Sequence, residues 1–323
     1  MKKSLLIAIV SLFSLPLFAQ QDPQMTFWMF DKQSFNPGAV GMDDCHCGSL
    51  FYRNQWTGFE RAPKTMMFNY SGLFNVTDKF QAGAGLTFFN DRLGQETNNV
   101  FRLHFAPKFD LSGHTLSLGL SLGFLNKSLG NEWIAIDDFR QDDAIPDSEI
   151  AQTSFDLGFG AMISKPNKYY VGISATHLTA PTMDNLNFKS SPHAYIMGGV
   201  NFPLGSGPLT MRTNALIKTD LGAPPAYDLN ANVIYNDLVF GGLTFRPTDA
   251  IAPMAGLEYK FAPKNSNNGR TTTNSNIRLG LTYDITTSEL RTYTSGSVEF
   301  FVTYCMKMET TPIRIRHNNP RFL

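Results

Sequence analysis

The sequence predicts an all-β protein, a closed antiparallel transmembrane β-barrel of 14 strands. Three observations predict it. Stretches of about ten residues alternate apolar with polar side chains, as strands do when one face meets hydrocarbon and the other meets water. No apolar run beyond the first twenty residues reaches the roughly 20 that a membrane helix needs. Aromatic residues make up 13% of the chain and there are 26 glycines, a composition suited to strands that end in interfacial rings. Lys plus Arg and Asp plus Glu both number 27 and are scattered, so no basic footprint for nucleic acid exists.

Lys2, Lys3, the apolar run at 5–18 and the small Ala19 read as a secretory signal peptide, residues 1–19, cut after Ala19. Residues 20–48 lack a period and contain Asp22-Pro23 and Asn36-Pro37-Gly38. They read as an irregular periplasmic N-terminal segment ahead of the first strand. The barrel is placed at 49–307. It opens with a hairpin over 51–74, in which Leu50, Tyr52, Asn54 and Trp56 alternate with Phe51, Arg53 and Gln55. Period-two segments follow at 81–90, 99–109, 114–124, 154–164, 169–175, 194–202 and 209–218. They continue at 227–236, 238–245, 251–261, 277–285 and 297–306. Residues 308–323 form a periplasmic tail.

A soluble barrel alternates equally well with its apolar face inward, so the polar face must decide. That face carries Arg53, Arg102, Lys108, Arg212, Lys260 and Arg278. Against them stand Asp156, Asp228, Glu258, Asp284 and Glu299. Apolar faces end in Tyr227 and Tyr235, or Tyr259 and Phe261, which fits membrane interfaces. The near balance of charge predicts a cross-strand network in the lumen, not a single-sign ring that selects ions. Short connections should face the periplasm and long ones the outside, with the polar stretch at 265–276 as the exception.

Chemistry is sparse. Gly119-Leu120-Ser121-Leu122-Gly123 matches a hydrolase pattern that has meaning only on a strand-to-helix elbow, and here it lies mid-strand. The loop at 126–152 carries Asp137, Asp138, Asp142, Asp143, Asp147 and Glu149 without the spacing of an EF-hand. Cys45-His46-Cys47 lacks the second pair of a structural zinc site. No catalytic residue, metal site or cofactor is expected. In a closed barrel the last strand ends beside the start of the first, so a disulfide from Cys305 to Cys45 or Cys47 would latch the seam; the alternative is three free thiols.

Asp22-Pro23-Gln24, Asn36-Pro37-Gly38-Ala39-Val40-Gly41, the block Tyr52-Arg53-Asn54-Gln55-Trp56-Thr57-Gly58-Phe59, Ala62-Pro63-Lys64-Thr65 and Gly296-Ser297-Val298-Glu299 together resemble the PorP/SprF family. These are outer-membrane proteins of the type IX secretion system. The family usually has NPAYAG where this chain has NPGAVG. The resemblance implies a non-enzymatic component that supports export or surface attachment of cargo with a type IX C-terminal signal, gliding adhesins among them. Implied partners are outer-membrane lipid, the periplasmic ring and the peptidoglycan-linked parts of the machine. Tyr52, Arg53, Asn54, Gln55, Trp56, Gly58, Phe59, Pro63 and Lys64 are the expected partner contact. A passive or solute-selective outer-membrane pore is the alternative function.

Overall fold

Fourteen strands pair edge to edge until the last meets the first. The computed structural model describes residues 22–77, 80–131, 148–220, 222–247, 249–261 and 275–307. The first strands are β1 (His46–Asn54), β2 (Lys64–Thr77), β3 (Phe80–Leu93), β4 (Glu96–Asp110) and β5 (Thr115–Leu129). Next come β6 (Ile150–Lys165), β7 (Tyr169–Thr176), the two-residue β8 (Thr182–Met183) and β9 (Phe188–Lys189), and β10 (His193–Pro203). The circuit ends with β11 (Leu209–Thr219), β12 (Ala226–Tyr235), β13 (Val239–Arg246), β14 (Ala250–Lys260), β15 (Ser275–Thr286) and β16 (Ser297–Met306). β8 and β9 form a separate ribbon between β7 and β10; the other fourteen are all antiparallel neighbours, and β1 pairs β16 from His46–Met306 to Asn54–Val298.

The alternation sets which face is which. Leu281 and Tyr283 on β15 are exposed while Thr282 and Asp284, which alternate with them, are buried, 59% and 45% accessible against 1% and 1%. The same holds on β4, where Phe101, Leu103 and Phe105 point out and Arg102 and His104 point in. An exposed belt of Leu, Ile, Val and Phe around the whole circuit has one physical use, contact with lipid. Tyr227, Tyr235, Tyr259 and Phe261 lie on that outer surface near strand ends. Leu116 on β5 is only half-buried, but Leu120 and Leu122 beyond it are exposed.

The interior differs from the expectation for residues 20–48. Residues 22–45 do not stand ahead of the barrel; they fill it. Trp28, Phe27, Met29 and Val40 are among the most buried side chains of the protein. The segment turns through residues 26–30, a four-residue helix α1 (Lys32–Phe35) and a 3-10 turn at Pro37–Ala39. Asp22 touches His177 and Tyr195, at the end where β7 and β10 are joined by the longer connection. Cys45 sits at the opposite, turn end, just before β1. The described residues thus run from Asp22 near the loop end to Lys307 at the turn end. The expected signal peptide at 1–19 and residues 132–147, 262–274 and 308–323 lie outside the described residues.

Candidate functional site: an occluded lumen

Burying a charge without a partner is costly, so ionic side chains on the inner faces of strands need neighbours. The strand wall and the N-terminal segment provide them together. Arg53 of β1 donates to Asp284 of β15 at 2.7 Å and to Glu299 of β16 at 3.0 Å. Glu299 also accepts from the backbone N–H groups of Thr26 (2.7 Å) and Phe27 (2.9 Å). Arg246, at the end of β13, reaches Asp284 at 2.5 Å, Asp249 at 2.7 Å and the Thr26 hydroxyl at 2.8 Å. Two guanidinium groups and two carboxylates therefore converge on Thr26, all at most 4% exposed.

A second anchor lies nearer the loop end. Asp22 accepts from Tyr195 Oη at 2.5 Å and lies 2.9 Å from His177 Nε2. His177 Nδ1 is 3.1 Å from Asp156, which also pairs with Arg102 at 3.3 Å. Beside it, Lys218 Nζ bridges Gln24 Oε1 (2.5 Å) and Asp228 (2.9 Å). At the turn end Arg278 grips Glu258 with Nη2 and Nε at 2.8 and 3.1 Å. Of the eleven polar-face charges named from the sequence, nine form ion pairs, Lys260 among them in an exposed pair with Asp237, and Lys108 donates to Ser117 Oγ. Arg212 instead lies over the Phe30 ring, 5.8 Å from its centroid.

Between these anchors the plug is apolar. Phe27 meets Phe301 edge-on at 4.6 Å, and Phe30 stacks on Phe301 at 4.8 Å and tilts against Phe240 at 5.3 Å. Such pairs add ~0.5–1.5 kcal/mol beyond the area they bury. Two plug amides hold wall backbone. Gln33 Nε2 donates to the Tyr70 and Leu86 carbonyls, and Asn36 Nδ2 to those of Ala161 and Ile173. The run Asn36 to Gly41 lies so close to the sheet that the wall has room only for glycine. A Cβ on Gly83 would stand 2.1 Å from the Val40 carbonyl oxygen, and one on Gly119 would stand 2.1 Å from the Gly38 nitrogen. Gly119, the first residue of the hydrolase-like pattern, is thus a docking surface, and Ser121 beyond it is a buried strand residue.

The seam is tied twice. Cys47 and Cys305, register partners, form a disulfide, Sγ–Sγ 2.08 Å, and Cys45 is a free thiol 3.1 Å from Cys47 Sγ. At the other end of β1 the block from Tyr52 to Phe59 meets the run from Gly296 to Glu299. Thr57 N–H donates to the Gly296 carbonyl at 2.7 Å, and Trp56 N–H donates to Ser297 Oγ at 3.0 Å. Tyr52 packs on Phe300 outside, Gln55 accepts from Arg53 inside, and Asn54 ends the strand. Gly58 holds a φ of 101°, Phe59 is exposed beside Tyr293, and the Pro63 carbonyl bonds Gln55 ahead of Lys64, the exposed first residue of β2. Only Arg53 of this block reaches the plug; Gly58, Phe59 and Lys64 lie at the loop rim.

The family sequence model described as type IX secretion system membrane protein PorP/SprF matches residues 17–304. The chain belongs to this family. As a PorP/SprF protein it is a membrane component of type IX secretion and an integral outer-membrane β-barrel. No curated protein matches it. Among solved structures it is similar to a FadL homologue of Pseudomonas aeruginosa at 10% identity, over 88% of this chain and 94% of that one, with TM-score 0.47. The Ralstonia pickettii toluene transporter TbuX matches at 10% identity, 87% and 92% coverage and TM-score 0.46. Omp33 of Acinetobacter baumannii matches at 7%, 80% and 96%, and 0.43.

Sequence reasoning missed Asp22, Thr26, His177, Lys218 and Arg246 as members of the PorP/SprF lumen network. Arg246 ends a strand at a connection, Asp22 and Thr26 belong to the N-terminal segment, and His177 and Lys218 find partners in that segment, Asp22 and Gln24. The signal for that segment was Met25-Thr26-Phe27-Trp28-Met29-Phe30, an apolar cluster without strand or helix period.

Proposed function

We propose that this PorP/SprF barrel is a non-enzymatic scaffold of the type IX machine. It supports export or surface attachment of cargo bearing a type IX C-terminal signal, gliding adhesins among them. It acts through contact with the periplasmic ring and peptidoglycan-linked components, with the turn end facing the periplasm. The observation that carries this over the pore reading is the plug. A conduit needs open cross-section, and here residues 22–45 occupy the lumen, with Asp22 paired to His177 and the Thr26 and Phe27 N–H groups bound to the buried Glu299. Surface-exposed Phe59, Arg61 and Lys64 at the loop rim suit contact with cargo.

The test is deletion of the gene followed by proteomics of cells and medium, with purified protein examined in planar bilayers. The scaffold reading expects loss or mislocalisation of one or more type IX cargoes and little conductance. Unchanged export of every such cargo, with steady conductance from the intact barrel, would replace it with the pore.

A further inference from the structure

At the turn end, between plug and wall, the lumen holds a cavity of about 640 Å³. That is within the ~300–1,000 Å³ typical of ligand sites. Six cations line it: Lys32 from the plug, Lys108, Lys165, Lys168, Arg212 and Arg278. They face half as many carboxylates, Asp43, Asp44 and Glu258. Two of those are already engaged, Glu258 with Arg278 and Asp44 with Lys307 at 2.8 Å.

The cations are held together by aromatic surfaces more than by counter-charge. Arg212 and Arg278 share one ring, Phe30, at 5.8 and 5.1 Å from its centroid. The Lys32 ammonium lies 5.1 Å over Tyr170, and Lys108 donates to Ser117 Oγ at 3.2 Å. Lys32, Lys108 and Arg212 form no ion pair with any described carboxylate. Six cations gathered in one recess against three carboxylates, of which Asp43 is the one in no close ion pair among the described residues, leave an excess of positive charge that raises the local concentration of anions.

Two further segments of this chain follow strands that end at this rim, β14 and β16, and their charge does not complement the cavity. The 262–274 connection carries Lys264 and Arg270, and the tail carries Arg314, Arg316, His317 and Arg321 against Glu309. Both are cationic. The strand wall separates the cavity from lipid, so an occupant enters along the barrel axis. We infer that this cavity docks an acidic, carboxylate-bearing segment of a partner protein approaching from the turn end. The inference rests on the scaffold reading for its choice of a protein as the bearer of the anion. Arg212 supplies a planar fork suited to one carboxylate, and Lys32 and Lys108 act as point charges beside it.

The experiment uses the full chain in nanodiscs and a fluorescein-labelled octaglutamate peptide, with binding read by anisotropy. Binding is expected at low salt and should weaken as salt rises. Lys32→Gln with Arg212→Gln should weaken it at least tenfold, while Lys260→Gln, at the exposed pair with Asp237, should leave it unchanged. Should the double variant fail to assemble, Asn201→Asp serves instead. Asn201 lies opposite Arg212 across β10 and β11, so its carboxylate would occupy that guanidinium and lower binding without removing a cation. Absence of peptide binding, or equal loss in the Lys260 variant, overturns the inference. So does competition by inorganic phosphate at affinity equal to the peptide's, which would make the cavity a site for small anions. Lost export on gene deletion with no peptide binding would leave the scaffold reading standing and remove only this docking site.

Discussion

Arg53 and Glu299 face each other across the seam where β1 meets β16, and their side chains pair at 3.0 Å with neither more than 1% exposed. The pair joins the first strand to the last, and Glu299 uses its remaining lone pairs on the N–H groups of Thr26 and Phe27. Closure of the barrel and seating of the plug therefore share one carboxylate.

Removing either partner leaves a buried charge uncompensated, which typically costs ~3–5 kcal/mol. Arg53→Ala and Glu299→Ala should each lower unfolding free energy in lipid vesicles by about that amount. Glu299→Ala should in addition expose residues 22–45 to protease, because the plug loses both N–H contacts. Unchanged denaturation midpoints in both variants would mean that the pair contributes nothing net.

The glycine wall makes a sharper separation of plug from barrel. A Cβ at Gly119 would collide with backbone atoms of Gly38 and Pro37, which cannot swing aside as a side chain tip can. Within a strand alanine is favoured over glycine by roughly 0.5–1 kcal/mol, so the strand itself accepts the change. Gly119→Ala should therefore leave the barrel assembled and displace the plug, seen as new conductance in planar bilayers and faster cleavage within 36–41. Gly48→Ala is the control, since nothing lies within 4 Å of its Cβ. If both variants stay closed, the plug is not held by fit to the wall.

The barrel was legible because a period of two is written into each strand independently. Arg102 between Phe101 and Leu103, or Asp284 between Tyr283 and Ile285, declares its face from three residues alone. The interior was less legible because residues 22–45 contact the wall through side chains and turns, which impose no repeat on the sequence. Their trace lay elsewhere, in the glycines at inward positions of β3 and β5, since glycine inside a strand marks close approach of another backbone. For Arg212, spacing shows which face the cation takes, but not that its neighbour is the Phe30 ring.

The third prediction concerns Cys45, beside the Cys47–Cys305 disulfide. Burial, with Asp43 and Asp44 nearby, pushes its thiol from 9.0 up to about 12. Only the thiolate attacks a disulfide or an alkylating reagent, so Cys45 should be inert at neutral pH despite standing 3.1 Å from Cys47 Sγ. The folded state keeps this proton longer than the unfolded chain does. The contribution to stability is thus full below pH 9 and declines as pH rises towards 12. Mass spectrometry of unreduced peptides should find Cys47 joined to Cys305 and Cys45 carrying iodoacetamide slowly at pH 8, faster as pH climbs. Asp43→Asn with Asp44→Asn should speed alkylation at fixed pH, because two like charges that oppose the thiolate are gone. A Cys45–Cys47 bond as the main species, or alkylation of Cys45 at the rate of an unfolded thiol, would show that the seam is not latched by Cys305 with Cys45 held in reserve.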